Sequence, residues 1–177
     1  MRSGLCRNTA NLVTPRSHPH PMSSISPVYN TLICDLGDVL FSWSANTHST
    51  ISPHVLRRVL SSPTWFQYEC GRLEEDTCYE RIGHEFGFEP SHVANALSQA
   101  RDSLQPNDEL IAIIRELRTQ SGGSLRVFAM SNTSLPDYAA LRKKSAQWDI
   151  FDRVFTSGAA GERKPNLGFY RHVLHGK

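Results

Sequence analysis

The fold of this chain is decided by residues 31–41, TLICDLGDVLF, an apolar run that ends on a carboxylate and then reaches a glycine. The run predicts a buried strand over 31–36 that places Asp35 at its carboxyl end. Ligands of open α/β sheets bind at the carboxyl ends of the strands, so a carboxylate placed there is a candidate for chemistry. Taken alone, the stretch also fits an ordinary strand followed by a Gly-Asp turn.

Length, composition and charge limit the classes of function. With 177 residues, 39% hydrophobic and 20% charged, the chain is long enough for one globular domain with a small appendage. Its apolar runs are only a few residues long, so we expect no membrane span and no membrane partner. The net charge of +2 comes from arginines that precede Asp35, the first acidic residue. The near-neutral remainder argues against nucleic-acid binding.

The cysteines and the beginning of the chain bear on its location. Four cysteines without a CxxC pair are typical of a reduced intracellular protein, and we expect a cytoplasmic location. Residues 1–27 contain prolines and no regular periodicity, which predicts a disordered leader. Because the leader has arginines and no acidic residue, mitochondrial targeting is the alternative.

The rest of the chain is predicted to form helices and two further strands. Residues 46–118 have apolar residues at helical spacing and predict an insertion of about four short helices. Apolar runs over 125–130 and 151–155 predict buried strands, each followed by a helix. Strands that alternate with helices indicate a parallel sheet. The prediction is an α/β fold: a Rossmann-like parallel sheet formed by 28–45 and 119–177, with an inserted all-helical cap over 46–118.

The predicted strand ends bring together a carboxylate, Asp35, a hydroxyl with an amide, Ser131 and Asn132, and, through the next loop, the ammonium of Lys164. This combination suits phosphoryl transfer, because a carboxylate can attack phosphorus to form an aspartyl-phosphate. A hydroxyl, backbone N–H groups and a lysine can neutralise the non-bridging oxygens in the transition state. Mg²⁺ needs only one or two protein carboxylates and would bridge carboxylate and phosphate.

Three motifs in order, DLGDVL at 35–40, MSN at 130–132 and RKP at 163–165, with a helical insertion after the first, resemble those of the haloacid dehalogenase-like (HAD) hydrolases with an alpha-helical cap. The resemblance covers about residues 30–174. It implies the HAD core fold, a hydrolase activity of the phosphatase type, and magnesium as cofactor.

The resemblance also implies a role for each matching position. Asp35 matches the nucleophile, and Lys164 matches the lysine that holds nucleophile and phosphate in charge balance. Ser131 matches the phosphate-binding hydroxyl, with Asn132 beside it. The metal ion would be held by Asp35 and by the backbone carbonyl of Gly37.

In the predicted cap, the resemblance puts Trp65, Tyr68, Gly71 and Arg72 where related caps contact or gate the substrate. We therefore predict Trp65, Tyr68 and Arg72 as substrate-binding residues. Packing within the core of the cap is the alternative for the two aromatic residues.

The chain departs from the family pattern in two places. The position two after the nucleophile, usually an aspartate that acts as acid and base, is Gly37, and Asp38 comes one residue too late to replace it simply. Family members also continue into a further strand that ends in acidic metal ligands, which needs roughly 20 residues, whereas 13 follow Lys164. We therefore expect a C-terminally truncated chain whose open sheet edge is covered by an oligomer or another partner.

The expected function is hydrolysis of a small organic phosphate through an aspartyl-phosphate on Asp35 with Mg²⁺. One alternative is a HAD-like terpene cyclase, or a phosphatase, that acts on an isoprenoid diphosphate. An apolar cap pocket would favour this alternative, lined by Trp65, Phe66, Tyr68 and Phe86. Another alternative is a catalytically inactive HAD-like binding or regulatory protein, which the missing last strand favours.

Overall fold

The computed structural model describes residues 29–144 and 148–176, so the predicted leader over 1–27 lies outside the described residues. The strands are β1 (Thr31–Cys34), β2 (Phe41–Ser42), β3 (Gln105–Pro106), β4 (Arg126–Ser131) and β5 (Arg153–Thr156). The helices are α1 (Pro53–Val59), α2 (Pro63–Glu69), α3 (Glu75–Phe86), α4 (Pro90–Asp102), α5 (Asp108–Gln120), α6 (Leu135–Arg142), α7 (Ser157–Ala160) and α8 (Leu167–His175). In these two stretches no helix is long and apolar enough to cross a membrane.

Three strands form the parallel sheet that the sequence predicts, in the order β1–β4–β5. Cys34 of β1 lies opposite Ala129 of β4, and Ser131 of β4 lies opposite Thr156 of β5. Parallel strands have their carboxyl ends on the same edge, so the residues that follow them meet there. The α/β fold with a parallel sheet is therefore confirmed. The antiparallel pair of β2 and β3 was not predicted, because strands of two residues leave no pattern in a sequence.

Alternate residues of the central strand β4 serve the two faces of the sheet. Val127 and Ala129 belong to an apolar cluster on one face, with residues of α5. Phe128 and Met130 belong to a cluster on the other face, where α8 contributes the fully buried Phe169. Helices thus cover both faces of the central strand, whereas Ile33 of the edge strand β1 stays 41% exposed, so β1 is less buried than the sequence predicts.

Helix α5 packs on the sheet and not with the preceding helices. Its buried residues Ile111 and Ile114 share a cluster with Leu36 and Val127. The predicted cap, 46–118, includes this helix, because an amphipathic pattern shows that one face is buried but not what covers it. The predicted division into cap and core stays a prediction. By its packing, α5 belongs with the core.

Helices α1–α4 form the all-helical insertion between β1 and α5. Ser52 and Ser62 begin α1 and α2 as N-caps, each accepting a hydrogen bond from a backbone N–H three residues on, with a proline at the next position. The four helices enclose a separate apolar cluster that includes Leu56, Val59, Trp65, Tyr68, Tyr79, Ile82, Val93 and Leu97.

The insertion, called the cap below, contacts the core where the end of α2 approaches α7. The Ser157 hydroxyl donates a hydrogen bond of 2.6 Å to the backbone oxygen of Glu69. A Cβ on Gly71, which has φ +67°, would lie 2.9 Å from the backbone oxygen of Gly158. A Cβ on Gly158 would lie 2.7 Å from the backbone nitrogen of Leu135 in α6. This cap–core seam therefore has no room for a side chain at either glycine.

We predict that Gly158→Ala lowers the free energy of unfolding by about 1–3 kcal/mol, because its methyl group would meet backbone atoms of α6 that cannot move alone. Urea unfolding followed by circular dichroism measures the change. Gly168→Ala is the matched control, since its methyl group would meet only the side chain of Glu162. Equal unfolding free energies for wild type and Gly158→Ala would contradict the close approach.

Candidate functional site

A cavity of about 350 Å³ lies between the carboxyl edge of the sheet and the cap. At the sheet edge its polar lining comes from three stretches of the core: the residues after β1, the end of β4 with the residues that follow it, and the loop before α8. These residues are Asp35, Gly37, Asp38, Ser131, Asn132, Thr133 and Lys164. The structure thus brings the predicted residues Asp35, Ser131, Asn132 and Lys164 into one cavity, together with Gly37.

Asp35 and Lys164 form an ion pair in this lining. The Lys164 ammonium donates to Asp35 Oδ2 and, at 3.0 Å, to the backbone oxygen of Met130. The second carboxylate oxygen, Asp35 Oδ1, accepts a hydrogen bond of 2.8 Å from the backbone N–H of Leu36. The side chain of Asp35 remains 38% exposed. The carboxylate is therefore held in one orientation and stays accessible from the cavity.

Asn132 holds the loop that carries Lys164. Its Oδ1 accepts a hydrogen bond of 2.8 Å from the backbone N–H of Lys164, and its Nδ2 donates one of 3.1 Å to the backbone oxygen of Lys164. This reciprocal pair fixes the backbone of Lys164 to the end of β4. These hydrogen bonds show that Asn132 positions Lys164. Its predicted role in phosphate binding stays a prediction.

The turn after Asp35 is closed by backbone hydrogen bonds. Asp38 N–H donates to the oxygen of Phe41, and Phe41 N–H donates to the oxygen of Leu36, both at 2.8 Å. Asp38 has φ +57°, a left-handed conformation that aspartate tolerates better than most residues. The turn thus adds a second carboxylate, Asp38, to the lining of the cavity.

The opposite part of the lining, on the side of the cap, is largely apolar and also contains the charged side chains of Glu69 and Arg101. Its apolar residues are Trp43, Leu60, Trp65, Leu97, Ala100 and Leu104. Leu97, Ala100 and Leu104 follow the spacing of one helix face along α4 and just past its end. A molecule in the cavity would therefore meet polar groups at the sheet edge and a largely hydrocarbon surface, interrupted by Glu69 and Arg101, at the cap.

The predicted substrate-binding residues of the cap separate in the structure. Trp65 lines the cavity. Tyr68 is 1% exposed and packs inside the cap cluster, so core packing describes its position. Arg72 lies outside the described lining and donates a hydrogen bond of 2.9 Å to the backbone oxygen of Gly161 in the core. Phe86 packs against the cap cluster, and Phe66 borders a separate depression.

Glu69, at the end of α2, connects the cap to the loop that carries Lys164. Its Oε2 accepts a hydrogen bond of 2.9 Å from Arg163 Nε, and its Oε1 accepts one of 3.2 Å from Trp65 Nε1. Arg163 also lies 3.8 Å from the ring centroid of Phe66. Burial raises the pKa of Glu69 to about 6, although Arg163 lowers it. Sequence reasoning missed Glu69, because no motif marks a lone carboxylate at the end of a helix.

A second group that sequence reasoning missed surrounds Arg101 on α4. Arg101 Nη2 donates to Glu75 Oε1 at 2.6 Å, and Arg101 Nε lies 3.1 Å from Asp137 Oδ1. The hydroxyls of Tyr68 and Tyr79 donate to the same oxygen of Glu75, at 3.2 and 2.5 Å. Burial raises the pKa of Asp137, although Arg101 lowers it. Arg101 and Asp137 both line the cavity, so a cation of the cap and a carboxyl of the core meet there.

A parallel sheet that presents a carboxylate–lysine pair beneath an inserted helical cap defines the class of HAD-like hydrolases. A sesquiterpene phosphatase of Aspergillus oryzae is 36% identical to this chain over 146 residues, which are 82% of this chain and 73% of that protein. A drimenol cyclase of Aspergillus calidoustus is 42% identical over 143 residues, which are 81% of this chain and 27% of the cyclase. This chain therefore spans about a quarter of the cyclase and most of the phosphatase.

Solved structures share the fold. A HAD-family enzyme of Bacteroides thetaiotaomicron, in complex with magnesium and inorganic phosphate, matches 83% of this chain and 78% of its own with a TM-score of 0.59 and 17% identity. The L-2-haloacid dehalogenase of Xanthobacter autotrophicus, with chloropropionic acid covalently bound, matches 82% of this chain and 64% of its own with a TM-score of 0.58 and 19% identity. Comparison with protein-family models found none that matches.

The chain belongs to the HAD-like hydrolase superfamily, as its motifs predict. The phosphatase and the cyclase that it resembles are both HAD-like.

The raised pKa of Glu69 predicts a pH dependence of stability. Because the folded protein holds this proton more tightly than the unfolded chain, the contribution of Glu69 to the free energy of unfolding falls as the pH rises from 4.5 to about 6. The loss amounts to about 2 kcal/mol at most. Urea unfolding of wild type and Glu69→Gln across this range isolates the effect, which the variant should lack.

Glu80→Gln, on the exposed face of α3, is the matched control and should keep the wild-type slope. A wild-type stability that rises more steeply with pH than that of Glu69→Gln would mean that Arg163 outweighs burial, contrary to this prediction.

Proposed function

We propose that this protein hydrolyses a phosphate ester of an isoprenoid alcohol through Asp35, with Mg²⁺. The observation that carries the proposal is the Asp35–Lys164 ion pair beside Ser131, in a cavity whose cap side is largely apolar. A nucleophile with a fixed orientation suits the phosphate group of such a substrate, and the hydrocarbon surface next to it suits the isoprenoid part.

Asp35 does the chemistry in two steps. In the first, a carboxylate oxygen attacks phosphorus, a new O–P bond forms, and the bond between phosphorus and the alcohol oxygen breaks; the alcohol takes its proton from water. In the second, water attacks the phosphorus of the aspartyl-phosphate, which releases inorganic phosphate and restores the carboxylate. Lys164 and the Ser131 hydroxyl stabilise the charge on the non-bridging oxygens in both steps.

The oxygen atoms at the sheet edge fit a magnesium ion. Mg²⁺ takes oxygen ligands, needs one or two carboxylates and keeps several waters. Asp35, Asp38 and the backbone carbonyl of Gly37 can supply such ligands. Within 29–144 and 148–176 no three His, Cys, Asp or Glu residues are arranged to hold a metal, so these oxygens would share the ion with phosphate and water. When bound, the ion supplies positive charge to the phosphate.

A sesquiterpene phosphatase among the relatives supports hydrolysis. The match covers 73% of that phosphatase and 27% of the drimenol cyclase. Both names refer to terpenoid chemistry, and the apolar lining agrees with a hydrocarbon ligand, whose burial contributes about 25 cal/mol per Å².

We predict that wild-type protein with Mg²⁺ hydrolyses phenyl phosphate and farnesyl monophosphate, and that Asp35→Asn lowers kcat by at least about 10⁴-fold because the amide is not a nucleophile. Release of inorganic phosphate measures both activities. Asp108→Asn, on the exposed first turn of α5, is the matched control and should keep the wild-type rate. Absence of turnover by wild-type protein shown to be folded by circular dichroism would refute the proposal and favour a binding role.

The apolar lining predicts a substrate preference. Leu60→Gln puts an amide against the hydrocarbon and should lower kcat/KM for farnesyl monophosphate, relative to phenyl phosphate, by about tenfold. The ratio of the two kcat/KM values is the measurement, with Leu117→Gln, on the exposed face of α5, as the control. An unchanged ratio would show that the isoprenoid chain does not lie against Leu60.

A further inference from the structure

The cavity surface that α4 contributes is apolar except at one position. Leu97, Ala100, Arg101 and Leu104 are spaced i, i+3, i+4 and i+7, and all four line the cavity. A hydrocarbon alone gives no reason for a guanidinium in this surface, because a buried charged group is costly unless it is paired and hydrogen-bonded. Arg101 is therefore the feature of the cavity that hydrolysis of a plain isoprenoid phosphate leaves unused.

The contacts of Arg101 leave one nitrogen for a ligand. Its Nη2 is engaged with Glu75 and Tyr79. Its Nε lies 3.1 Å from Asp137 Oδ1, is buried and makes no hydrogen bond. Its Nη1 donates to no residue in the part of the chain that the structure describes, and it is not among the buried unpaired atoms. Since the side chain lines the cavity, Nη1 is the donor that a bound molecule can reach.

The charges around Arg101 select a neutral oxygen over an anion. Glu75 and Asp137 place two carboxyl groups against one guanidinium, and Glu69 adds a further negative charge near Asp137. A phosphate at Nη1 would add to this excess of negative charge. A hydroxyl or carbonyl oxygen accepts the hydrogen bond without adding charge.

We propose that Arg101 is a substrate-binding residue that recognises an oxygen function on the isoprenoid part of the substrate. The preferred substrate is then an oxygenated isoprenoid phosphate, carrying a hydroxyl or carbonyl group, and not the plain hydrocarbon phosphate. Nη1 donates the hydrogen bond, and Glu75 with Asp137 holds the guanidinium in place. This inference rests on the proposed phosphatase function.

The test compares kcat/KM of wild-type protein for farnesyl monophosphate and for two hydroxylated derivatives, one with the hydroxyl on the terminal isoprene unit and one on the middle unit. At least one derivative should be preferred by about tenfold or more, because the plain chain leaves a charged donor unpaired. Arg101→Lys keeps the charge but loses the second N–H group of the fork, and it should bring the ratio to within about twofold. Arg57→Lys, an exposed residue of α1, should keep the wild-type ratio.

The possible results separate the two proposals. Hydrolysis of all three phosphates with equal kcat/KM overturns the role of Arg101 and leaves the phosphatase function standing; this comparison needs no variant and holds even if Arg101→Lys fails to fold. A preference that persists in folded Arg101→Lys also overturns it. A selective loss of farnesyl diphosphate over monophosphate turnover in Arg101→Lys would assign an anion to Arg101, against the proposal. No hydrolysis of phenyl phosphate overturns the phosphatase function and this inference with it.

Discussion

Parallel pairing of β1 with β4, and of β4 with β5, is the constraint on which the candidate site depends. It gathers at one edge residues that are distant in sequence: Asp35 and Lys164 lie 129 positions apart. A shift of β1 by one residue against β4 would turn its side chains to opposite faces and carry Asp35 away from Lys164. All residues of β4 after Arg126 are buried, and its two faces pack against separate apolar clusters. The same packing that stabilises the sheet therefore positions Asp35, the proposed nucleophile.

The cap is held to the core by few and specific contacts. Ser157 joins α7 to the end of α2, Glu69 joins α2 to Arg163, and Arg101 joins α4 to Asp137 of α6. Two of these contacts are ion pairs at the border of the cavity. A change in the position of the cap would therefore alter the contacts of Arg163, which precedes Lys164, and of Arg101, which lines the cavity. The contacts that hold the cap and the lining of the proposed substrate site thus share Glu69, Arg101 and Asp137.

The sheet and its edge residues could be predicted from the sequence, because strand patterns are local and the carboxyl ends of parallel strands must meet. This rule predicts that Asp35 and Ser131 lie together and that Lys164 reaches them through the loop that follows the third strand. Glu69, Arg101 and Asp137 could not be found in this way, since their meeting depends on how helices of the cap lie on the core. Tyr68 was predicted to bind substrate and instead lies in the cap core. An aromatic residue at helical spacing fits a ligand pocket and a core equally well, so only the packing of the helices shows which of the two it joins. Helix α5 likewise shows an amphipathic pattern that does not reveal which cluster it joins.

Charge balance in the cavity supports the proposed binding of a divalent cation. The lining contains the carboxyl groups of Asp35, Asp38, Glu69 and Asp137 but only two cationic side chains, Lys164 and Arg101. Both cations are already paired with carboxylates, so an entering phosphate ester brings further negative charge to a site that has an excess of it. Burial raises the pKa values of Glu69 and Asp137. At the sheet edge, Asp35 and Asp38 share one cation of the lining, Lys164. A metal ion bound there would offset the charge of the phosphate, so that Lys164 could also contact the phosphate. Arg101, which is surrounded by carboxyl groups, would then contact the uncharged part of the ligand.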